Sequence, residues 1–290
     1  METSFILSCE STIDLPYSYC EARGIPVLFY SYQVDGVSYE DDMGRDPAAL
    51  PRFYGFLDEG KLPTTAQLNE FQYESFFDAL LQQGDVLHIA FGSGMTASVQ
   101  NAMLAAESLR EKYPERKIYA VDSLCASLGQ GLLLYLTVQK KREGLSAQEL
   151  VQWVEDNKLH IDHWFTVDDL NYLKMGGRLS AGAAFFGSML SIKPVMHTSD
   201  EGKLVPVSKA RGRKASLKAL IDKIAELGIE PSEQVMFICH ADCEVEARAV
   251  AEEMKARYGV KEVYINYIGP VIGSHTGPNT MGIFFVGTQR

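Results

Sequence analysis

The chain reads Leu170-Asn-Tyr-Leu-Lys-Met-Gly-Gly-Arg-Leu-Ser180 and continues as Ala181-Gly-Ala-Ala-Phe-Phe-Gly-Ser-Met-Leu-Ser-Ile-Lys-Pro194. The first segment has the apolar spacing of a helix that ends at two glycines, and Arg178 follows them directly. The second segment is too apolar and too rich in small residues to face water. An arginine beside such a segment indicates a site for a ligand with a charged head and an apolar body.

The length of 290 residues predicts two domains, because single hydrophobic cores stop growing at roughly 250–300 residues. The formal net charge of −11 opposes nonspecific attraction to DNA, RNA or an anionic bilayer, since these partners require a broad basic face. We therefore expect no nucleic-acid partner. The chain does not open with the basic and apolar regions of a signal peptide, and no apolar run approaches the ~20 residues of a membrane-spanning helix.

The five cysteines are odd in number and scattered, which fits reduced core thiols of a cytoplasmic protein better than a disulfide framework. The segment Cys239-His240-x-x-Cys243 has a metal-like spacing. No second cluster completes a set of four ligands, so we expect a reduced pair and no metal site. His160 and His163 also lack partners in the sequence, and we interpret them as residues of a domain boundary.

The first half of the chain alternates short apolar runs with helical patterns. This alternation predicts repeated β-α-β units and a parallel sheet with helices on both faces. Ser146 begins a capped helix, with Glu149 completing a capping box, and a boundary near Leu159 defines an α/β/α domain of residues 1–159. The predicted strands are Ser4–Cys9, Val27–Tyr32, Val86–Phe91 and Ile118–Asp122, and the predicted helices are Gln67–Gln83, Thr96–Tyr113, Gly131–Arg142 and Ala147–Asn157.

The second half mixes hairpin and crossover signals. A turn at Ser199-Asp-Glu-Gly202 predicts a hairpin, whereas the helical patterns further on predict crossover connections. Residues 160–290 are therefore predicted to form an α+β domain with a mixed sheet. The predicted strands are Ile161–Thr166, Ser191–His197, Leu204–Lys209, Gln234–His240, Val263–Ile268 and Gly282–Val286, and the predicted helices are Lys214–Leu227 and Val245–Tyr258.

The loop Phe91-Gly-Ser-Gly-Met-Thr-Ala-Ser98 follows a predicted strand and opens a predicted helix. The free N–H groups of a helix start bind anions readily. One interpretation is a dinucleotide site that uses Gly92, Gly94 and, at the end of the next strand, Asp122. A Walker loop and a hydrolase elbow both lack required residues, so Ser93 is interpreted as an anion contact and not as a nucleophile. A tight turn without any ligand stays open as the third interpretation.

Three further segments carry polar residues in suggestive places. Thr64 and Thr65 follow Pro63 just before a helix, where a threonine is most often an N-cap. His275 stands between two glycines in a predicted loop, a position that fits a structural role and a ligand contact about equally. The basic run Lys209-Ala-Arg-Gly-Arg-Lys214 is either a solvated helix start or a docking point for a phosphate or a partner.

Taken in order along the chain, several of these segments resemble the DegV family of bacterial fatty-acid-binding proteins, whose better-understood members are the binding subunit of a fatty acid kinase. The resemblance implies the two domains predicted above, with one long-chain fatty acid between them. The matching pieces are Glu10-Ser-Thr-Ile-Asp14-Leu, Pro63-Thr-Thr65-Ala-Gln, Phe91-Gly-Ser93-Gly-Met-Thr, Val121 to Gly131, Leu170 to Ser180, Ile192-Lys-Pro194, Lys209 to Lys214 and Gly273 to Gly277.

The resemblance also implies residue roles. It makes the protein a non-catalytic carrier, a monomer without a cofactor, that exchanges lipid by transient contact with a membrane. The carboxylate contacts would be Thr64, Thr65, Ser93 and His275, with Arg178 near the head group. The acyl tunnel would be lined by Phe185, Phe186, Met189 and Ile192, and Arg211 would face the kinase. Ala66 and Gly92 stand where the family usually has serine, which leaves the number of head-group contacts open. A dinucleotide-dependent oxidoreductase is the competing hypothesis.

Overall fold

The computed structural model describes residues 5–179 and 192–290. Phe185, Phe186 and Met189, which are predicted to line the acyl tunnel, lie outside these residues. The described strands are β1 (Phe5–Glu10), β2 (Val27–Leu28), β3 (Ser31–Val34), β4 (Val37–Glu40), β5 (Thr64–Thr65), β6 (Asp85–Ala90), β7 (Ile118–Asp122), β8 (Ile161–Thr166), β9 (Ile192–Thr198), β10 (Leu204–Arg211), β11 (Val235–His240), β12 (Glu262–Tyr267) and β13 (Met281–Val286). The described α-helices are α1 (Tyr17–Glu21), α2 (Ala49–Asp58), α3 (Glu70–Leu81), α4 (Ser98–Lys112), α5 (Ser127–Arg142), α6 (Ala147–Asn157), α7 (Leu170–Met175), α8 (Arg213–Leu227), α9 (Glu244–Tyr258) and α10 (Pro270–Thr276).

A four-stranded parallel sheet in the order β2-β1-β6-β7 forms the first half, as predicted. Its inner strands are buried on both faces, which explains their nearly continuous apolar sequences. Helices α3 and α4 pack together beside β6 and β7, with Tyr73 and Phe77 in the core, and α6 also contacts these two strands. The predicted cap of α6 is confirmed, because Ser146 and Glu149 form the reciprocal capping box.

The predicted strand Val27–Tyr32 is wrong in its extent. The structure ends β2 after two residues and turns the following chain into the hairpin β3–β4, to which β5 pairs as a third strand. Asp35 and Gly36 form the hairpin turn with φ values of 51° and 80°. Positive φ at both central residues is the requirement of a type I′ turn, for which Asp-Gly is a strong signal.

The second half contains a six-stranded mixed sheet in the order β10-β9-β8-β13-β11-β12. Only β11 and β12 run parallel among these pairs, and the predicted hairpin β9–β10 is present. Helices α8 and α9 form a core with this sheet, whereas α5 of the first half contacts β8, β11 and β13.

The two halves share one hydrophobic core. The strands of the parallel sheet all precede Leu159, and those of the mixed sheet all follow it. Leu128 and Leu132 of α5 nevertheless belong to the same buried cluster as Phe237 and Phe284 of the mixed sheet. The division into domains 1–159 and 160–290 stays a prediction, and the shared core fixes the position of one sheet against the other.

Within the described residues, no helix combines the length and the apolar character needed to cross a membrane.

Candidate functional site

A cavity lies between the two halves. It contains about 810 Å³ of space not filled by atoms, part of it open to solvent. Much of its lining is apolar, and a smaller number of polar side chains adjoin it. Apolar residues that line it include Phe91, Met95, Phe165, Leu173, Leu204 and Phe284.

The paired glycines end α7 with a Schellman motif. The N–H of Arg178 donates to the carbonyl of Leu173 at 2.9 Å, and the N–H of Gly177 donates to that of Lys174 at 3.1 Å. Gly177 adopts φ of +69°, whereas Gly176 keeps a helical φ of −72°. The predicted helix stop is therefore confirmed, and the motif fixes the backbone from which Arg178 extends.

The guanidinium of Arg178 lies in the cavity wall. Its Nε donates to the carbonyl of Met95 at 3.2 Å, and its Nη1 donates to the carbonyl of Gly176. Burial lowers the pKa of Arg178, but an arginine keeps its charge in proteins. No carboxylate of the described residues lies within 4 Å of it. The site thus holds a half-buried cation whose described partners are neutral carbonyls.

His275 forms the centre of the polar part of the cavity. Its Nε2 lies 2.7 Å from Oγ1 of Thr65, and both side chains line the cavity. Burial, together with the nearby charge of Arg178, lowers the pKa of His275 to about 4, so the ring is neutral at pH 7. Its Nδ1 is buried without a described hydrogen-bond partner and packs against Gly176.

The expectation that His275 lies in a loop is wrong, because the residue belongs to the last turn of the short helix α10. Pro270 begins this helix at a position where a missing N–H costs nothing. Structural constraints account for Gly273 and Gly277, the glycines on either side of His275. A β-carbon on Gly273 would lie 2.7 Å from the ring of Phe53, and Gly277 ends the helix with φ of +75°.

The threonine pair divides into one cavity residue and one surface residue. Thr65 pairs with Tyr32 in the small sheet and turns its hydroxyl to His275, whereas Thr64 is exposed and does not line the cavity. The interpretation of either threonine as the N-cap of α3 is not supported. Asn69 caps that helix by accepting from the N–H of Gln72 at 3.0 Å.

Ser93 sits beside the cavity without lining it. Its N–H donates to Oδ1 of Asp122 at 3.1 Å, and the same carboxylate accepts from the N–H of Leu124 at 2.9 Å. A β-carbon on Gly92 would lie 2.9 Å from the backbone of Cys125, and one on Gly94 would lie 2.3 Å from that of Gly202 in the β9–β10 turn. Contacts with the backbone of the protein itself thus account for Gly92, Gly94 and Asp122 without a bound nucleotide. The structure does not support the dinucleotide interpretation.

The remaining predicted residues lie elsewhere. Ile192 is half-buried at the start of β9, paired with exposed Arg211 in β10, and neither lines the cavity. The basic run therefore spans the end of a strand and the start of α8. Arg213 within it pairs with Glu246 at 2.9 Å and with Asp168 at 3.7 Å.

His163 is a cavity residue that the sequence analysis placed at the domain boundary. Its Nδ1 donates to the carbonyl of Ile161 at 2.7 Å, and its Nε2 accepts the N–H of Ala126 at 3.3 Å. Burial lowers its pKa well below the ordinary value, so the ring is a neutral part of the wall. The alternation of β8, in which His163 and Phe165 share a face, was the available signal.

Cys239 also lines the cavity, and burial raises its pKa. Across residues 5–179 and 192–290 there is no group of three histidine, cysteine or acidic side chains arranged to hold a metal ion.

The fold and the cavity together define an α/β protein of two large sheets, with a mainly apolar cavity that has a cationic, hydroxyl-bearing corner. A family model described as an uncharacterised protein of the DegV family matches residues 6–288, and the chain belongs to this family. A DegV domain-containing protein of Clostridium perfringens is 42% identical over 288 residues, which cover 99% of this chain and 98% of that protein.

Two solved structures extend the comparison. A DegV lipid-binding protein of Thermotoga maritima has a TM-score of 0.86 and 26% identity, with 100% of both chains covered. DegV of Bacillus subtilis, described as a fatty-acid-binding protein, has a TM-score of 0.84 and 27% identity, with 99% of this chain and 100% of that chain covered. The mixed architecture predicted from the sequence is thus confirmed as the DegV fold.

Proposed function

We propose that the protein binds one long-chain fatty acid in the cavity between its halves and presents the carboxylate to a separate fatty acid kinase. It acts as a cytoplasmic, monomeric carrier without catalytic residues or a cofactor, and it exchanges lipid by transient contact with a membrane. The observation that carries this proposal is the meeting of Thr65, His275 and Arg178 in one part of a mainly apolar cavity.

The acyl tail supplies most of the affinity. Burying ~14 methylenes at ~0.8 kcal/mol each gives on the order of 11 kcal/mol. Association and ordering costs of ~4–15 kcal/mol offset much of this gain. The apolar lining from both halves supports this role, because a tail that contacts both sheets loses more water than one on a single surface.

The head-group end supplies orientation. A half-buried guanidinium whose described partners are carbonyls favours an anion beside it, since a desolvated charge is costly unless it is paired. We assign His275 the Nε2–H tautomer, in which the ring donates to Thr65 and leaves the threonine O–H free to donate to a carboxylate. Such charge-assisted bonds are short and directional.

The first test is lipid retention. Native mass spectrometry of the protein purified from bacterial cells should show one bound acyl chain, and a fluorescent fatty-acid displacement assay should give the affinity. Thr65→Val should weaken fatty-acid binding about tenfold, or ~1.4 kcal/mol, because it removes a hydroxyl while keeping the shape of the side chain.

Thr64→Val is the matched control, since Thr64 is the exposed neighbour, and it should bind like the parent. Equal affinities in both variants would exclude Thr65 from the head-group site. A parent protein that neither retains nor takes up an acyl chain would end the proposal.

The kinase step is tested separately. Arg211 is exposed on β10, so Arg211→Ala should leave fatty-acid affinity unchanged and reduce acyl-phosphate formation in a reconstituted kinase assay by about tenfold. Arg110→Ala on α4 removes an exposed arginine elsewhere and should do neither. Normal acyl-phosphate formation by Arg211→Ala would place the kinase on another surface.

A further inference from the structure

Tyr30 is a further cavity residue with a polar group, and no sequence motif marked it. Tyr30 lines the cavity and is only 2% exposed. Its hydroxyl is buried and has no hydrogen-bond partner among the described residues. Leaving a buried hydroxyl unpaired costs free energy, so native proteins rarely do so without a reason.

The rest of Tyr30 is firmly held. Its N–H donates to Oγ of Ser11 at 3.1 Å, and its carbonyl accepts the N–H of Asp41 at 2.9 Å. The ring of Phe91 packs against it edge-on, with 6.4 Å between the centroids. Because backbone and ring are both fixed, the hydroxyl cannot swing out to bulk water.

The hydroxyls of Tyr73, Thr96 and Ser98 lie near that of Tyr30 without hydrogen-bond geometry to it, and each bonds to another group. Tyr73 donates to Glu10, and that carboxylate also accepts the N–H of Phe91 at 2.8 Å. Ser98 accepts the N–H of Leu68 at 3.1 Å. Burial and the nearby charge of Glu10 raise the pKa of Tyr30 well above its ordinary value, although the hydroxyls of Ser98, Tyr73 and Thr96 lower it. The hydroxyl thus stays protonated and available as a donor.

Tyr30 lies between the two loops that carry the head-group site. It immediately precedes β3, whose Tyr32 pairs with Thr65, and its ring contacts Phe91 at the start of the 91–98 loop. Thr65 and Thr96, one from each loop, line the same cavity. Tyr30, Thr65 and His275 thus line one cavity, with Tyr30 between the strand that pairs with Thr65 and the loop that begins at Phe91.

We propose that Tyr30 is a further ligand-binding residue whose hydroxyl donates a hydrogen bond to the carboxylate of the bound fatty acid. This inference rests on the proposed function and adds a third segment, the connection between β2 and β3, to the threonine loop and α10. It gives the head group a donor from the wall of the parallel-sheet half.

The test removes single hydroxyl groups. Tyr30→Phe should weaken binding of an eighteen-carbon fatty acid about tenfold, and should weaken binding of the eighteen-carbon primary alcohol much less. Tyr32→Phe is the matched control, because its hydroxyl is equally buried and without a described partner but Tyr32 does not line the cavity. The ¹³C resonance of a carboxyl-labelled fatty acid should shift in the Tyr30→Phe complex and stay in place in the Tyr32→Phe complex.

The outcomes separate the hypotheses. If the parent binds fatty acid and Tyr30→Phe binds it equally well with an unmoved carboxyl resonance, the inference is wrong and the proposed function stands. Equal weakening for acid and alcohol would assign Tyr30 a packing role and also overturn the inference. A parent that binds neither ligand would overturn both proposals. Melting temperatures establish that each variant is folded, and removing an unpartnered hydroxyl should leave them within a few degrees of the parent.

Discussion

Gly176→Ala is expected to abolish most fatty-acid binding while leaving the protein fully folded. A β-carbon at this position would lie 2.2 Å from Nδ1 of His275, far inside van der Waals contact. The imidazole must move, and its 2.7 Å contact with Thr65 is then lost. Losing both groups should weaken binding on the order of 100-fold, since each charge-assisted bond contributes roughly 1.5–3 kcal/mol.

Gly177→Ala is the matched control. It should keep the fatty-acid affinity of the parent and lose stability. Gly177 has φ of +69° and no atom within 4 Å of its β-carbon position, so alanine adds strain without touching His275. Because Gly176 is helical and alanine favours helices, Gly176→Ala should be at least as stable as Gly177→Ala, which should lose about 1 kcal/mol of unfolding free energy.

Urea unfolding and the displacement assay on both variants measure the two effects. Normal binding by Gly176→Ala, or loss of binding by Gly177→Ala at temperatures where it is folded, would contradict this assignment of His275 to the head-group site.

Arg290→Ala is expected to cause the largest loss of stability. The guanidinium donates to the carbonyls of Leu124 at 2.7 Å, of Lys158 at 2.9 Å and of Ile161 at 3.0 Å. It also reaches the carbonyl of Ser199 at 3.3 Å and Sγ of Cys125 at 2.9 Å. One side chain thus joins a loop of the parallel-sheet half, the segment between the halves and the β9–β10 hairpin.

Alanine at position 290 leaves these carbonyls without their donor, and the expected cost is about 2–4 kcal/mol of unfolding free energy. Arg290→Lys should recover little, because an ammonium cannot cover the geometry of the guanidinium fork. Arg257→Ala serves as control, since its ion pairs with Asp222 and Glu253 lie near the surface, where solvent screens them, and their loss should change stability little. Similar urea midpoints for Arg290→Ala and Arg257→Ala would show that Arg290 does not join the halves.

The sequence predicted most strands of the two larger sheets because their signals are local, but it did not predict the three-stranded sheet β4-β3-β5. Apolar runs of five or six residues with intervening helical patterns marked β1, β6, β7, β8 and β11, and the turn residues marked the β9–β10 hairpin. The short helices were harder to predict from the sequence. Helix α10 has only seven residues, contains one glycine and is flanked by two more, so its composition resembles that of a loop.

The candidate site was only partly predictable, for a physical reason. Arg178 and His275 stand beside glycines, and glycine marks places where backbone conformation or close approach matters. Tyr30 carries no such mark, because its role depends on which neighbours have satisfied their own hydrogen bonds. The structural role of Arg290 could not be inferred from the sequence either, since its partners are mostly backbone carbonyls from separate segments.

The core shared by the two halves restricts how relatives of this chain can be recombined. The ring of Tyr135 on α5 lies 5.5 Å from that of Phe237, and a β-carbon on Gly129 would lie 2.0 Å from Nε2 of His163. A chimera joined at Leu159 would set one parent's α5 against the other parent's sheet. A crossover before α5 would instead part Gln130 of α5 from Thr12 and from the carbonyl of Ile89, to which it bonds at 3.0 and 3.2 Å, so exchanging the halves requires redesign around α5 at either junction.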